Sequence, residues 1–86
     1  REIGSKSKVL IIRMRHVPFV DATAIHNLRD VITELQHDGI KIILSGVNEQ
    51  VYTELEKNRI VFLVGKHNVA STFDKALQIS YEYINK

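Results

Sequence analysis

The sequence predicts an α/β fold, in which a small and mostly parallel sheet is covered by helices in a three-layer-like arrangement. Three short apolar runs alternate along the chain with three segments whose apolar residues recur at helical spacing. Because a helix separates each strand from the next, this β-α-β-α-β-α order indicates parallel pairing with right-handed crossovers. The 86 residues contain neither an internal repeat nor a linker, so we expect a single domain over 1–86 with one core.

The first half of the chain carries clear signals for two strands and one helix. The β-branched run at about 9–14 predicts the first strand. A helix follows at about 22–37, with Asp21 at the position of its N-cap residue. Gly39 can adopt the left-handed conformation that ends helices, and the next apolar run predicts a second strand at 40–44.

The second half predicts two more helices and a third strand. Asn48 is suited to cap a helix at 48–57, and the apolar run at 60–64 predicts a strand. A capping box that starts at Ser71 predicts a last helix at 71–85. The residues of this helix predicted to face the core are Phe73, Ala76, Leu77, Tyr81 and Ile84.

The start of the chain predicts an incomplete sheet. Residues 1–8 are polar, with one Gly and two Ser, and indicate a loop or the end of an element further upstream. Three strands are few for a sheet covered by helices, and an apolar edge strand would be left exposed. We therefore expect N-terminal elements of the fold to be missing.

The composition excludes several classes of function. No apolar run approaches the roughly 20 residues that a membrane-spanning helix needs, so this domain is predicted not to insert into a membrane. The net charge is only +2 and the basic residues are dispersed, which argues against a nucleic-acid partner. Cysteine is absent, so disulfides and thiolate metal sites are excluded.

The candidate catalytic and metal-binding residues do not form a recognisable site. A dinucleotide or P-loop site would need a glycine-rich turn after the first strand, and that turn contains no glycine. Thr23 and His16 are a conceivable nucleophile and base, but no nucleophile elbow or third orienting group accompanies them. We predict no enzyme activity, no cofactor and no metal, since the histidines also lack ligand spacing: His16, His26, His37 and His67.

The loops after the strands are the predicted functional site, because ligands of parallel sheets bind beyond the carboxyl ends of the strands. The first helix begins there, and its free amides and dipole favour an anion at the segment Asp21-Ala22-Thr23-Ala24. A phosphoryl group on Thr23 would also be stabilised there. The residues predicted to form a docking surface around this segment are Arg15, His16, Ser45, Gly46 and Lys66.

The segment from Val9 to Ala24 resembles the STAS domain, the cytoplasmic C-terminal part of SulP-family sulfate and anion transporters. An apolar strand is followed by the loop Arg-Met-Arg-His-Val-Pro and by an Asp-Ala-Thr-Ala segment, an order typical of the bacterial members. The later Leu-Ser-Gly-Val-Asn segment, which ends at Asn48, is also similar to the family's next strand and loop. The recognisable motifs cover about residues 8–48.

The resemblance implies a regulatory domain on the cytoplasmic face of the bacterial inner membrane, as part of a membrane protein. The implied partner is the membrane domain of the same transporter, and the ligand is left open between a nucleotide, an acyl carrier protein and neither. The family also begins with a β-hairpin and a helix, for which this sequence has no counterpart.

The alternative implied by the resemblance is a soluble anti-sigma-factor antagonist. In those proteins the loop is Asp-Ser-Ser-Gly or Asp-Ser-Thr-Gly, and a kinase phosphorylates its second hydroxyl residue. Asp21 and Thr23 match this pattern, whereas Ala22 replaces the first Ser and Ala24 replaces the Gly. These two departures favour the transporter domain over a switch that depends on phosphorylation at Thr23.

Overall fold

A computed structural model describes residues 8–84, which form a parallel two-stranded sheet with helices on both faces. The expected α/β class and three-layer arrangement are therefore confirmed. Residues 1–7, which we expected to form a loop, and Asn85, the expected end of the last helix, lie outside the described residues. The elements are β1 (Lys8–Arg13), α1 (Ala22–His37), β2 (Ile40–Ser45), α2 (Glu49–Lys57), α3 (Ile60–Val64), a 3-10 turn (Lys66–Asn68) and α4 (Phe73–Ile84).

The sheet is short and parallel throughout its described part. β1 pairs with β2 in a register that runs from Lys8 opposite Ile40 to Arg13 opposite Ser45. On the other side of β2, an isolated parallel bridge joins Leu44 to Val69. A single bridge thus takes the place that a full third strand would occupy.

The two faces of the sheet follow from the alternation of side chains along β2. Ile42 and Leu44 point to one face and pack with the buried residues of α1, α2 and α3. Ile43 points to the other face, where it packs with Ala76 of α4. All three strand residues are at most 1% exposed. Each such side chain contributes roughly 1.5–3 kcal/mol when it is removed from water, so β2 is the centre of the core.

The predicted strand at 60–64 is wrong, because this segment is the helix α3. A strand would place Ile60, Phe62 and Val64 on one face. In the structure Phe62 is 83% exposed, whereas Ile60, Val61 and Val64 are buried at helical spacing. A short apolar run carries no periodicity that separates a strand from a buried helix, and tertiary packing overrides its β-branched composition.

The turn before α3 explains why the helix restarts there. Arg59 has a left-handed backbone conformation with a φ of 64°, which ends α2 and redirects the chain. The side chains of α1 then hold α3 in place. The Gln36 amide donates to the carbonyl oxygen of Leu63 at 2.9 Å, and the Arg29 guanidinium donates to the carbonyl oxygen of Asn58.

The last helix begins later than predicted and presents a different face to the sheet. The N-cap is Thr72 and not Ser71, since the Thr72 hydroxyl accepts from the amide of Lys75 at 3.1 Å. Of the residues expected in the core, Ala76 is buried, but Phe73, Tyr81 and Ile84 are 36%, 55% and 59% exposed. The residues that pack toward the sheet are Ala76, Ile79, Ser80 and Tyr83.

A buried asparagine accounts for the rotation of α4. The Tyr83 hydroxyl bonds to Asn68 Oδ1 at 2.9 Å, and Asn68 Nδ2 donates to the carbonyl oxygen of Val64 at 2.8 Å. Because Asn68 is only 7% exposed, Tyr83 has to face inward to reach it. The small residues Ala76 and Ser80 then lie against the sheet and let the helix approach closely.

The helices of the described part are all short or amphipathic. Within residues 8–84, none is both long enough and apolar enough to cross a membrane.

Candidate functional site

Three connections meet beyond the ends of the strands, and we call this surface the carboxyl edge (residues 14–24, 45–48 and 70–73). The amide of Met14 donates to the carbonyl oxygen of Ser45 at 2.7 Å, which ties the first connection to the second. The amide of Val47 donates to the carbonyl oxygen of Ala70 at 3.2 Å, which ties the second to the third. The parallel topology and these hydrogen bonds place loops that are distant in sequence side by side.

The segment Asp21-Ala22-Thr23-Ala24 starts α1 at the carboxyl edge, and its four residues are exposed. Asp21 caps the helix, since its Oδ1 accepts from the amide of Ala24 at 2.8 Å. The Asp21 carboxylate therefore lies at the place where the helix dipole would attract an anion. Ala24 borders an apolar groove between β1 and α1, which is also lined by Ile12, Met14, Val17, Val20, Leu28 and Val31.

A second part of the carboxyl edge is a cleft with two arginines, which we call the arginine cleft (Arg13, Arg15, Ser45, Gly46 and Ser71–Phe73). Its volume is about 330 Å³. Three residues of the predicted docking surface meet here, namely Arg15, Ser45 and Gly46. Gly46 has a φ of +70°, and a Cβ atom on it would lie 2.8 Å from backbone atoms of Arg15. Only glycine fits this contact between the two loops.

The other two residues of the predicted docking surface do not line the arginine cleft. His16 is an exposed residue of the turn after β1. Lys66 lines a separate groove with Glu56, Arg59 and Phe62. The expected strand at 60–64 would have brought Lys66 to the carboxyl edge. Because that segment is a helix, the chain after it pairs with β2 through the isolated bridge at Val69, and Ser71 and Thr72 take the position expected for Lys66.

A larger cleft of about 680 Å³ lies next to the arginine cleft, between α2 and α4. Asn48 and Glu49 contribute from the start of α2, and Lys75 contributes from the first turn of α4. Asn48 caps α2 through its side-chain oxygen, which accepts from the amide of Val51 at 2.7 Å. His67 also lines this cleft, and its Nε2 lies 3.0 Å from Glu82 Oε1.

The sequence did not identify the start of α4 as part of the site. Ser71 ends the last connection predicted to lie beyond the strands, but Thr72 and Phe73 were assigned only to helix capping and to the core, whereas all three line the arginine cleft. A signal was present in the sequence, because a helix that follows a strand of a parallel sheet begins at the carboxyl edge.

Two histidines pair with acidic side chains on the surface. His26 Nε2 lies 3.3 Å from Asp30 on the same helix, and His67 pairs with Glu82. Exposed pairs of this kind contribute about 0–1 kcal/mol to stability. Within residues 8–84, no group of three or more His, Cys, Asp or Glu side chains is arranged to hold a metal ion.

Solved structures with the same fold come from two bacterial transporters. A sulfate transporter family protein from Wolinella succinogenes is 33% identical, with a TM-score of 0.88 over 92% of this chain and 65% of that chain. The STAS domain of a SulP transporter from Vibrio cholerae is 40% identical, with a TM-score of 0.87 over 91% of this chain and 61% of that chain.

Comparisons of the sequence agree with those structures. The protein described as probable sulfate transporter 4.2 of Arabidopsis thaliana is 30% identical to this chain over 77 residues. These cover 90% of this chain but only 11% of the plant protein, so the chain spans about a tenth of that relative. The family model described as the STAS domain matches residues 1–76. The chain therefore belongs to the STAS domain family.

Proposed function

We propose that this chain is the regulatory STAS domain of a SulP-type transporter of sulfate-like anions. It acts on the cytoplasmic face of the bacterial inner membrane, has no catalytic activity of its own, and binds a ligand or a protein surface at the carboxyl edge. Its partner is the membrane domain of the same transporter. The relatives that carry sulfate transporter names support this proposal.

The observation that carries the proposal is the construction of the carboxyl edge. Three loops are joined by main-chain hydrogen bonds, while side chains such as those of Arg15 and Thr23 remain exposed. A surface whose backbone is fixed by hydrogen bonds and whose exposed side chains are polar is suited to docking. Little backbone conformational entropy is lost when a partner binds to it.

The alternative, an anti-sigma-factor antagonist switched by phosphorylation, is supported by the exposure of Thr23 in the first turn of α1. A phosphoryl group there would be favoured by the helix dipole but would lie near the Asp21 carboxylate. The sulfate transporter names of the relatives favour the transporter domain.

Uptake of radiolabelled sulfate by cells that express the complete gene product tests the proposal. Thr23→Arg places a long charged side chain on the carboxyl edge, and we expect the uptake rate to fall by at least about fivefold, the lower end of typical coupling between sites. Thr33→Arg is the matched control, since Thr33 is an exposed threonine near the other end of α1. We expect this control to transport like the wild type at equal membrane abundance.

Two results would count against the proposal. Equal uptake by wild type, Thr23→Arg and Thr33→Arg would show that the carboxyl edge does not influence transport. No uptake above background by the wild type, together with phosphate found on Thr23, would instead favour the soluble anti-sigma-factor antagonist.

A further inference from the structure

The outer side of α3 presents an aromatic ring to solvent. Phe62 is the most exposed of the large apolar side chains within residues 8–84. It lies between two grooves, of about 360 and 430 Å³, and lines both of them. The apolar residues Ile40, Leu63 and Val64 also line the first groove. A partner that straddles the ring can bury apolar side chains on both sides of it, so Phe62 is placed to make contacts outside the core.

The backbone that carries this ring is fixed by other parts of the chain. The Gln36 amide of α1 donates to the carbonyl oxygen of Leu63 at 2.9 Å. From the other side, Asn68 Nδ2 donates to the carbonyl oxygen of Val64 at 2.8 Å. An exposed aromatic side chain on a fixed backbone loses little conformational entropy when a partner binds. Phe62 therefore has the properties of an anchor residue at a protein interface.

The border of the two grooves is mainly basic. Lys41 lines the first groove, and Arg59 and Lys66 line the second. Glu56 is the one carboxylate among the described residues that line them. None of the three cations forms a salt bridge with another residue between 8 and 84. The excess of positive charge disfavours contact with the same surface of a second copy and is complementary to an acidic partner.

The backbone does not account for the arginine at position 59. Its φ of 64° is a left-handed conformation, which glycine adopts at a lower energetic cost. An arginine at this position keeps a guanidinium at the groove that Phe62 lines, at the expense of backbone energy. Residues in unfavourable backbone conformations are concentrated at functional sites, and arginine is among the residue types that contribute most to binding energy.

This surface lies at the end of the domain opposite to the carboxyl edge. Ile40 and Lys41 are the first two residues of β2, so the first groove is at the amino end of the sheet. Glu56 belongs to the last turn of α2, a helix that begins at the carboxyl edge. A partner bound here does not compete for the carboxyl edge, and both surfaces can be occupied in the same molecule.

We propose that Lys41, Arg59, Phe62 and Lys66 form a second docking surface, the Phe62 face, whose partner is an acidic amphipathic helix of another protein. Such a helix carries apolar side chains three or four residues apart on one face, which suits them to enter the grooves on the two sides of one ring. Carboxylates beside them pair with the three cations. This interaction is additional to the proposed function and independent of the carboxyl edge.

Photo-crosslinking in cells tests the proposal on the complete gene product. Phe62 is replaced by p-benzoylphenylalanine, which retains the phenyl ring. The control carries the same replacement at Gln78, an exposed residue of α4 on the other face of the sheet. We expect an adduct with another protein from position 62 and none from position 78. Mass spectrometry of the crosslinked peptide should locate the adduct in a helical segment with net negative charge.

Charge reversal distinguishes an acidic partner from incidental collisions. Lys66→Glu places a carboxylate on the Phe62 face, and we expect the adduct yield from position 62 to fall by at least about tenfold, because like charges repel across an interface. Lys75→Glu makes the same change on an exposed lysine of α4, and we expect its yield to be unchanged. Circular dichroism of each variant shows whether it is folded.

Three results would overturn the inference. The first is an adduct yield at position 62 that does not exceed the yield at position 78. The second is an adduct with lipid, with another copy of the same gene product, or with a segment that carries no net negative charge. The third is an equal loss of yield in Lys66→Glu and Lys75→Glu, which would show general charge attraction without a defined docking surface.

Discussion

At the scale of single residues, Gly46 determines how closely the first two connections of the carboxyl edge approach each other. Its left-handed conformation turns the chain directly after β2, and the missing side chain leaves room for the backbone of Arg15. Since the obstacle is backbone and not the end of a flexible side chain, a larger residue cannot be accommodated by a rotamer change.

We therefore expect Gly46→Ala to lower the free energy of unfolding by about 3 kcal/mol. Left-handed backbone costs a residue with a Cβ atom about 1–2 kcal/mol, and the displaced backbone of Arg15 adds an overpacking cost of similar size. Gly39→Ala is the control, because Gly39 also has a positive φ but an added Cβ would meet nothing within 4 Å. Its expected cost is only about 1 kcal/mol. Urea denaturation measures both, and equal costs would contradict the close contact at Gly46.

At the scale of elements, α3 is the part of the fold whose structure is least expected from its composition. It consists of five apolar residues between Arg59 and Gly65, both of which have positive φ. In this helix the neighbouring residues Val61 and Phe62 have opposite environments, since Val61 is 6% exposed and Phe62 is 83% exposed. A strand would bury Phe62 and expose Val61.

Two alanine substitutions distinguish the helix from a strand. We expect Val61→Ala to lower the free energy of unfolding by about 2 kcal/mol, because it removes buried methyl groups and leaves a cavity. Phe62→Ala should change it by less than about 0.5 kcal/mol, although it removes a much larger side chain, because that side chain is in solvent. Thermal or urea unfolding followed by circular dichroism provides the comparison. A larger cost for Phe62→Ala would show that the segment is a strand.

The elements that the sequence predicts well are those with local signals at their ends. Asp21 and Asn48 cap their helices through hydrogen bonds to amides three residues later, so α1 and α2 follow from short stretches of sequence. The orientation of α4 has no such local origin. It depends on Asn68, which bonds to Tyr83 from a turn 15 residues away. Helical periodicity alone could not separate the face with Tyr81 from the face with Tyr83.

At the scale of the whole molecule, the parallel topology was sufficient to predict part of the carboxyl edge. Arg15 follows β1 and Ser45 ends β2, and because these strands are paired, the proximity of the two residues follows from the order of the elements. The misplacement of Lys66 has a different origin. It follows from the third segment, which is a helix, so that the chain joins β2 through an isolated bridge at Val69 and not through a strand that ends at Val64. The error in this element displaced one of the five residues predicted to form the docking surface.

The whole domain is proposed to meet its transporter through the carboxyl edge. Hydrogen–deuterium exchange tests it most directly, by comparing the complete gene product in membranes with the 86-residue chain alone. We predict slower exchange in the complete protein at residues 14–24, 45–48 and 70–73, because partner contact shields these amides from solvent. Residues 34–39 and 54–59, at the opposite ends of α1 and α2, should exchange equally in both. Protection confined to those opposite ends, or the same exchange throughout, would contradict docking through the carboxyl edge.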